Sequence, residues 1–205
     1  MAPGRSGRQK KYKHTRKGSK KLPLAIGLLI IIGVLAVAVY MFINSTPAGK
    51  VLLHTSMGDI TIQLRDDRPI TTNNFKNLIQ QGVYDGTIFH RVISGFMIQG
   101  GDPTGTGVGD PTIPNIQDEV VGVNENNYGT IAMAKEGRAD GSAIPNSGSS
   151  QFYINVDNNN WLDAEYTVFG TVISGMNVVE EIANVPTENN KPVIDVTLTK
   201  AEIIS

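Results

Sequence analysis

The chain contains no cysteine, only one tryptophan, three histidines and not a single acidic residue before position 51. Without thiols there is no disulfide framework, no thiolate metal site and no cysteine to carry a lipid. The histidines, His14, His54 and His90, are too scattered for an H-x-x-x-H pair, so no metal site is expected. Also missing are a G-x-S-x-G elbow, a Walker A loop and an H-E-x-x-H helix, which removes the common signatures of serine hydrolases, P-loop enzymes and zinc proteases. The run Gly105-Thr106-Gly107-Val108-Gly109 fails the dinucleotide spacing, precedes no helix pattern and reads as a loop. No cofactor is expected. No internal repeat is present, so one core with an appendage is the simplest organisation.

Charge is unevenly distributed. Nine of the eighteen basic residues fall within residues 5–21, whereas all nineteen acidic residues lie beyond position 50. The remainder is therefore acidic and lacks the basic stripe that nucleic acid requires, which excludes nucleic acid as a partner. After the basic tail, residues 22–43 carry no charge and are rich in Leu, Ile, Val, Ala and Gly. At ~1.5 Å per residue this stretch reaches about 33 Å, enough to cross a hydrocarbon core of ~30 Å. A cleaved secretory signal has a similar layout, but this apolar run is longer than a usual h-region and no small-x-small site precedes Asn44-Ser45-Thr46-Pro47. The reading is a single-pass membrane protein. Residues 1–21 form a solvated cytoplasmic tail, 22–43 a transmembrane helix, 44–49 a linker and 50–205 an extracytoplasmic domain, oriented by the positive-inside rule. Asn44-Ser45-Thr46 is formally a glycosylation sequon.

The domain opens with a strand, a turn at Ser56-Met57-Gly58-Asp59, and a second strand in which Ile60, Ile62 and Leu64 alternate with polar residues. A helix is predicted over 71–81, with Phe75, Leu78 and Ile79 on one face, Thr71 or Thr72 as N-cap and Gly82 as its stop. Short strands are predicted over 87–93, 96–99, 130–134, 151–156 and 166–173. A second helix follows at Met176–Ala183, then a final strand with Ile194, Val196 and Leu198 facing inward. Many short strands with only two helices argue for an antiparallel barrel or sandwich.

Three blocks carry chemistry: Phe89-His90-Arg91-Val92-Ile93-Ser94-Gly95-Phe96-Met97-Ile98-Gln99-Gly100-Gly101-Asp102, then Ser149-Ser150-Gln151-Phe152-Tyr153-Ile154, then Trp161-Leu162-Asp163 followed by Val168-Phe169-Gly170. In this order they resemble the signature segments of the cyclophilin family of peptidyl-prolyl cis/trans isomerases, from about position 50 to the C-terminus. The resemblance implies a mainly β fold, a closed eight-stranded antiparallel barrel with two capping helices. It implies proline-containing polypeptides as partners. It makes Arg91 the catalytic residue, with Phe96, Met97, Tyr153 and Leu162 lining a slot for the proline ring. Gln99, Gln151 and the backbone at Ala134 would hold the peptide main chain, while Trp161 and Tyr166 would close the rim. Because Trp161 matches the residue with which the family contacts cyclosporin, binding of that drug is implied as well.

The residue types suit the reaction. Rotation about a peptide bond faces a barrier of ~18–20 kcal/mol from amide resonance, yet cis and trans X-Pro differ by only ~0.5–1 kcal/mol. The catalyst needs no nucleophile; it must hold the twisted amide better than either planar form. A guanidinium remains charged and presents a rigid fork of donors to the nitrogen lone pair that twisting localises. Rotation transfers no proton, so His90 reads as structural. Taken singly, Phe96, Met97 and Leu162 would be core residues, and a lone strand arginine a solvated one; the ordered blocks reverse those assignments. The sequence departs from the usual family pattern at Tyr153 in place of Phe, Tyr166 in place of His and Lys135 in place of Asn, and in a longer segment over 136–144. A cyclophilin-fold module that binds proline segments with little turnover is the competing function.

Overall fold

A computed structural model describes residues 49–204. The basic tail, the apolar stretch at 22–43 and all of the linker except Gly49 lie outside them. Among the described residues no helix is long and apolar enough to cross a membrane.

The chain runs β1 (Lys50–Thr55), β2 (Gly58–Leu64), α1 (Pro69–Gln80), β3 (Thr87–Ile88), β4 (Arg91–Ile93), β5 (Met97–Gly100), β6 (Thr130–Met133), β7 (Phe152–Asn155), a 3-10 turn (Asn160–Leu162), β8 (Val168–Ser174), α2 (Met176–Ala183), β9 (Thr187–Glu188), β10 (Lys191–Pro192) and β11 (Thr197–Ile204). Nine strands form one antiparallel sheet in the order β3-β11-β1-β2-β8-β6-β7-β5-β4, and β9 with β10 makes a separate ribbon. The expected closed eight-stranded barrel is thus corrected to an open half-barrel. The segment read as one strand over 87–93 splits into β3 and β4, which form the two ends of the sheet. They do not pair with each other. Between them, the Phe89 N–H turns to Val196 O at 2.9 Å, and within β4 the Val92 N–H bonds Asn190 O at 2.7 Å.

Period-two alternation explains both faces. Ile98, Ile131, Met133, Phe152 and Ile154 enter the main core with Val51, Leu53, Ile60, Ile62 and Phe169. Their neighbours Met97, Ala132 and Tyr153 point the other way, into a second small cluster with Leu162 and Val168. The main core is centred on aromatic contacts of Phe75 with Tyr84, Phe152 and Phe169, at centroid distances of 5.0, 5.5 and 5.1 Å. Each such side chain, fully buried, contributes roughly 1.5–3 kcal/mol.

Helix α1 starts earlier than the sequence suggested. Pro69 takes the first turn, where its missing N–H costs nothing, and Thr71 and Thr72 are buried inside the helix rather than capping it. The orphan N–H groups of Ile70 and Thr71 instead donate to the Glu119 carboxylate, at 3.1 and 2.8 Å. A carboxylate almost fifty positions away leaves no local signature. The stop is as expected: Gly82 has φ 71, and bonds from Gly82 N to Ile79 O and Val83 N to Leu78 O complete a left-handed cap. Helix α2 begins after Gly175, whose φ is 82 and where a Cβ would lie 2.1 Å from Asp59 O. The last strand starts late, at Thr197; Val196 and Leu198 are buried but Ile194 is 83% exposed, against the predicted alternation.

Candidate active site

Strand register assembles the site. Arg91 on β4 pairs with Gln99 on β5, Gln99 with Tyr153 on β7, Tyr153 with Ala132 on β6, and Ala132 with Val168 on β8. This row crosses the face of the sheet opposite the main core. Over it lies a cavity of about 230 Å³. Nine of the ten sequence-nominated residues line it: Arg91, Phe96, Met97, Gln99, Ala134, Tyr153, Trp161, Leu162 and Tyr166. Gln151 lines an adjoining recess with Gln99 and Ala134 instead. A cavity of about 390 Å³ between α1 and the 103–114 loop shares no lining residue with this one.

Arg91 is held in place on the wall. Its Nη1 donates to Gln99 Oε1 at 3.2 Å, and its guanidinium carbon lies 5.7 Å from the Phe96 ring centroid. Gln99 Nε2 continues to Gln151 Oε1 at 2.9 Å, and Gln151 Nε2 to Gly107 O at 3.2 Å. Burial lowers the Arg91 pKa from its ordinary value, opposed by the Tyr166 phenol; a guanidinium so displaced remains charged at neutral pH. A half-buried cation interacts more strongly with a nearby dipole than one in bulk solvent.

Opposite the polar Arg91 and Gln99, the slot has an apolar and aromatic lining. Met97 and Leu162 are buried at 1% and 5% exposure. Phe96 stacks on Trp161, with centroids 5.6 Å apart and planes at 22°, and Tyr153 meets Tyr166 edge to face at 5.9 Å. Trp161 remains 71% exposed at the mouth. The 3-10 turn that carries Trp161 and Leu162 is tied to the sheet by Asn126, whose N–H and Nδ2 donate to Asp163 Oδ1 at 2.6 and 3.1 Å. The Ala134 N–H is committed to Gln151 O at 2.9 Å.

The Tyr153 hydroxyl has a partner: it donates to Asn126 Oδ1 at 2.7 Å, and Asn155 Nδ2 reaches the same oxygen at 3.3 Å. Burial, reinforced by Tyr166 and Asp163, pushes the Tyr153 phenol well up, so it stays neutral. His90 is buried, and neither ring nitrogen has a hydrogen-bond partner among the described residues. Burial lowers its pKa, opposed in part by Asp102, and it does not line the slot. The glycine-rich run is a loop, as read. It is gathered around the buried Asp102 carboxylate, which accepts from Thr104 N, Gly107 N and Gly109 N at 2.9, 2.7 and 3.3 Å.

Sequence reasoning did not nominate Asn126, Gly141 or Lys135 for the site. The last two line the cavity, yet Gly141 lies in the longer 136–144 segment and Lys135 was noted only as a departure from pattern. Asn126 comes from a stretch without periodicity, and nothing in its neighbours marks it.

The site thus sets a fixed cation beside aromatic side chains on an antiparallel half-barrel. The family described as cyclophilin type peptidyl-prolyl cis-trans isomerase/CLD matches residues 50–203. The chain belongs to this family and is a peptidyl-prolyl cis-trans isomerase. It is 40% identical over 162 residues to a Neurospora crassa peptidyl-prolyl cis-trans isomerase-like 1, covering 77% of this chain and 95% of that protein. It is 41% identical over 164 residues to a peptidyl-prolyl cis-trans isomerase of Acinetobacter baylyi, covering 77% and 82%. Among solved structures, a cyclophilin type peptidyl-prolyl cis-trans isomerase of Cryptosporidium parvum superposes with TM-score 0.70 at 33% identity, over 77% of this chain and 98% of that one. That protein was also crystallised in the presence of the dipeptide Ala-Pro, with TM-score 0.70 at 33% identity, over 76% of this chain and 99% of that one.

Proposed function

We propose that Arg91 and the slot beside it carry the isomerisation, acting on proline-containing segments of exported or membrane-proximal proteins, with residues 22–43 anchoring the domain to a membrane. The observation that carries the catalytic part is the position of the Arg91 guanidinium, held by Gln99 and Phe96 on the wall of an apolar cavity. The pyrrolidine ring enters between Phe96, Met97, Tyr153 and Leu162. Gln99, Gln151 and the Ala134 carbonyl hold the peptide main chain on either side. Trp161 and Tyr166 close over the rim. As the imide twists, its nitrogen regains a lone pair and accepts a hydrogen bond from Arg91 that neither planar form can make. Only this difference accelerates rotation; equal grip on all three states would not.

Removing one preorganised donor of this kind typically costs ~10²–10³ in rate. Arg91→Ala is therefore expected to lose that factor in kcat/KM on an X-Pro test peptide, while Trp161 fluorescence still reports peptide binding. The same assay with cyclosporin tests whether Trp161 at the mouth admits the drug, with inhibition expected. A wild-type chain that binds the peptide but does not accelerate its isomerisation would favour the binding-module reading.

The membrane arrangement follows from the uncharged 22–43 stretch and the nine cations that precede it. In sealed membranes, protease added from the extracytoplasmic side is expected to digest the isomerase domain. Digestion from the cytoplasmic side alone would refute that orientation.

A further inference from the structure

A second cation stands on the cavity wall, at a position the family resemblance leaves unassigned. Lys135 has a side chain only 3% exposed. Its Nζ donates to Asp118 Oδ2 at 2.7 Å and to the backbone oxygen of Glu165 at 2.7 Å, and it lies 5.7 Å from the Tyr166 ring centroid. Burying an ammonium is costly unless its hydrogens meet strong acceptors, and here a carboxylate and a carbonyl take two of them.

The partners belong to separate segments. Asp118 lies in the loop before β6 and is locked to the β6–β7 connection: its Oδ2 accepts from Asn146 N at 2.9 Å, and its own N–H donates to Asn146 Oδ1 at 2.8 Å. Glu165 precedes Tyr166 in the turn before β8, and its carboxylate accepts from Ala143 N at 3.0 Å. Between Lys135 and Ala143 runs the longer segment that brings Gly141 to the cavity. One ammonium thus joins three pieces of chain around the slot mouth, and two of them supply cavity-lining residues.

We propose that Lys135 is a positioning residue of the proline slot: it fixes Tyr166 and the Gly141 segment, and so sets how tightly substrate is held while leaving the rotation step to Arg91. The proposal rests on the reading of this cavity as the substrate site. Because Asp118 balances its charge, Lys135 is not a counter-ion for substrate, and its effect is independent of the charge of residues flanking the proline.

The test uses the full chain in detergent and a pair of X-Pro peptides that differ in one flanking charge. Lys135→Met is expected to raise KM about tenfold for both peptides, with kcat within about twofold of wild type. Since Met alone strands the Asp118 carboxylate, the double variant K135M/D118N removes both charges and keeps an acceptor for Asn146 N–H. It is expected to fold and to show the same rise in KM. An unchanged KM in the folded double variant overturns the proposal. So does a loss confined to kcat, or a KM effect seen with only the acidic peptide. Arg91→Ala, measured alongside, separates the two levels: wild-type kcat in that variant overturns the reading of the slot itself, whereas its loss together with an unchanged KM in K135M/D118N overturns only the role of Lys135.

Discussion

Tyr153 offers a sharp test of how the slot floor is built, because its hydroxyl and its ring have different jobs. Tyr153→Phe removes one buried hydrogen bond but leaves the acceptor, Asn126 Oδ1, with Asn155 Nδ2 at 3.3 Å. The loss should therefore be that of an ordinary net hydrogen bond, about 1 kcal/mol. Asn126→Ala does something worse. It strands the Tyr153 hydroxyl in a site only 4% exposed and removes the Asn126 side-chain bond to Asp163, while the backbone N–H bond to the same carboxylate stays. An unsatisfied buried donor costs roughly 1–3 kcal/mol beyond the lost bond, so about 2–4 kcal/mol is expected. In the Asn126→Ala background, replacing Tyr153 by Phe removes the stranded group and should be neutral or stabilising. At about 2–4 °C per kcal/mol for a domain of this size, thermal unfolding resolves all three variants. The Tyr153→Phe ring still lines the slot, so kcat/KM should stay within about threefold of wild type. If Tyr153→Phe is as costly in the Asn126→Ala background as in the wild type, the two groups are not coupled and the reasoning fails.

Two further outcomes are expected. The folded-state pKa of His90 is lowered, chiefly by burial, from an ordinary value of 6.5; below about pH 6.5 the unfolded chain therefore binds a proton that the folded chain refuses. Stability should fall as pH drops through that window and level off below the folded pKa, and His90→Leu should flatten this part of a denaturant-midpoint profile; an unchanged slope would refute the assignment. Glu119→Ala removes the carboxylate that caps Ile70 and Thr71 and should cost about 1–2 kcal/mol by urea unfolding, with an undisturbed midpoint counting against the cap.

What could be read from the sequence was local or repetitive. The extent of α2 follows from its apolar face and matches the predicted Met176–Ala183. The slot residues of β5 and β7 lie in dense signature blocks, where alternation separates Met97 and Tyr153 from core-facing Ile98 and Phe152. What escaped was held from a distance. The start of α1 depends on Glu119, the slot floor on Asn126 and the rim on Asp118 and Glu165, each contributed by a connection with no period to detect. Sheet closure was misjudged for a related reason. Residues 87–93 look like one strand, and the diversion of Phe89 N–H to Val196 marks where they divide. Ile194 carries the apolar alternation but sits before the ladder begins, so water takes the side chain that pattern assigned to the interior.

The order of strands has a consequence for biogenesis. Among the described strands the last made, β11, sits between β3 and the first, β1, so an emerging chain lacks this partner for β1 until Thr197–Ile204 has appeared. Such long-range pairing slows folding, and in the interval β1 presents bare amide and carbonyl groups to other chains. A nascent domain of this topology must wait, unfinished and adhesive, for Thr197–Ile204, and a nonsense mutation just upstream of that strand would leave it so permanently.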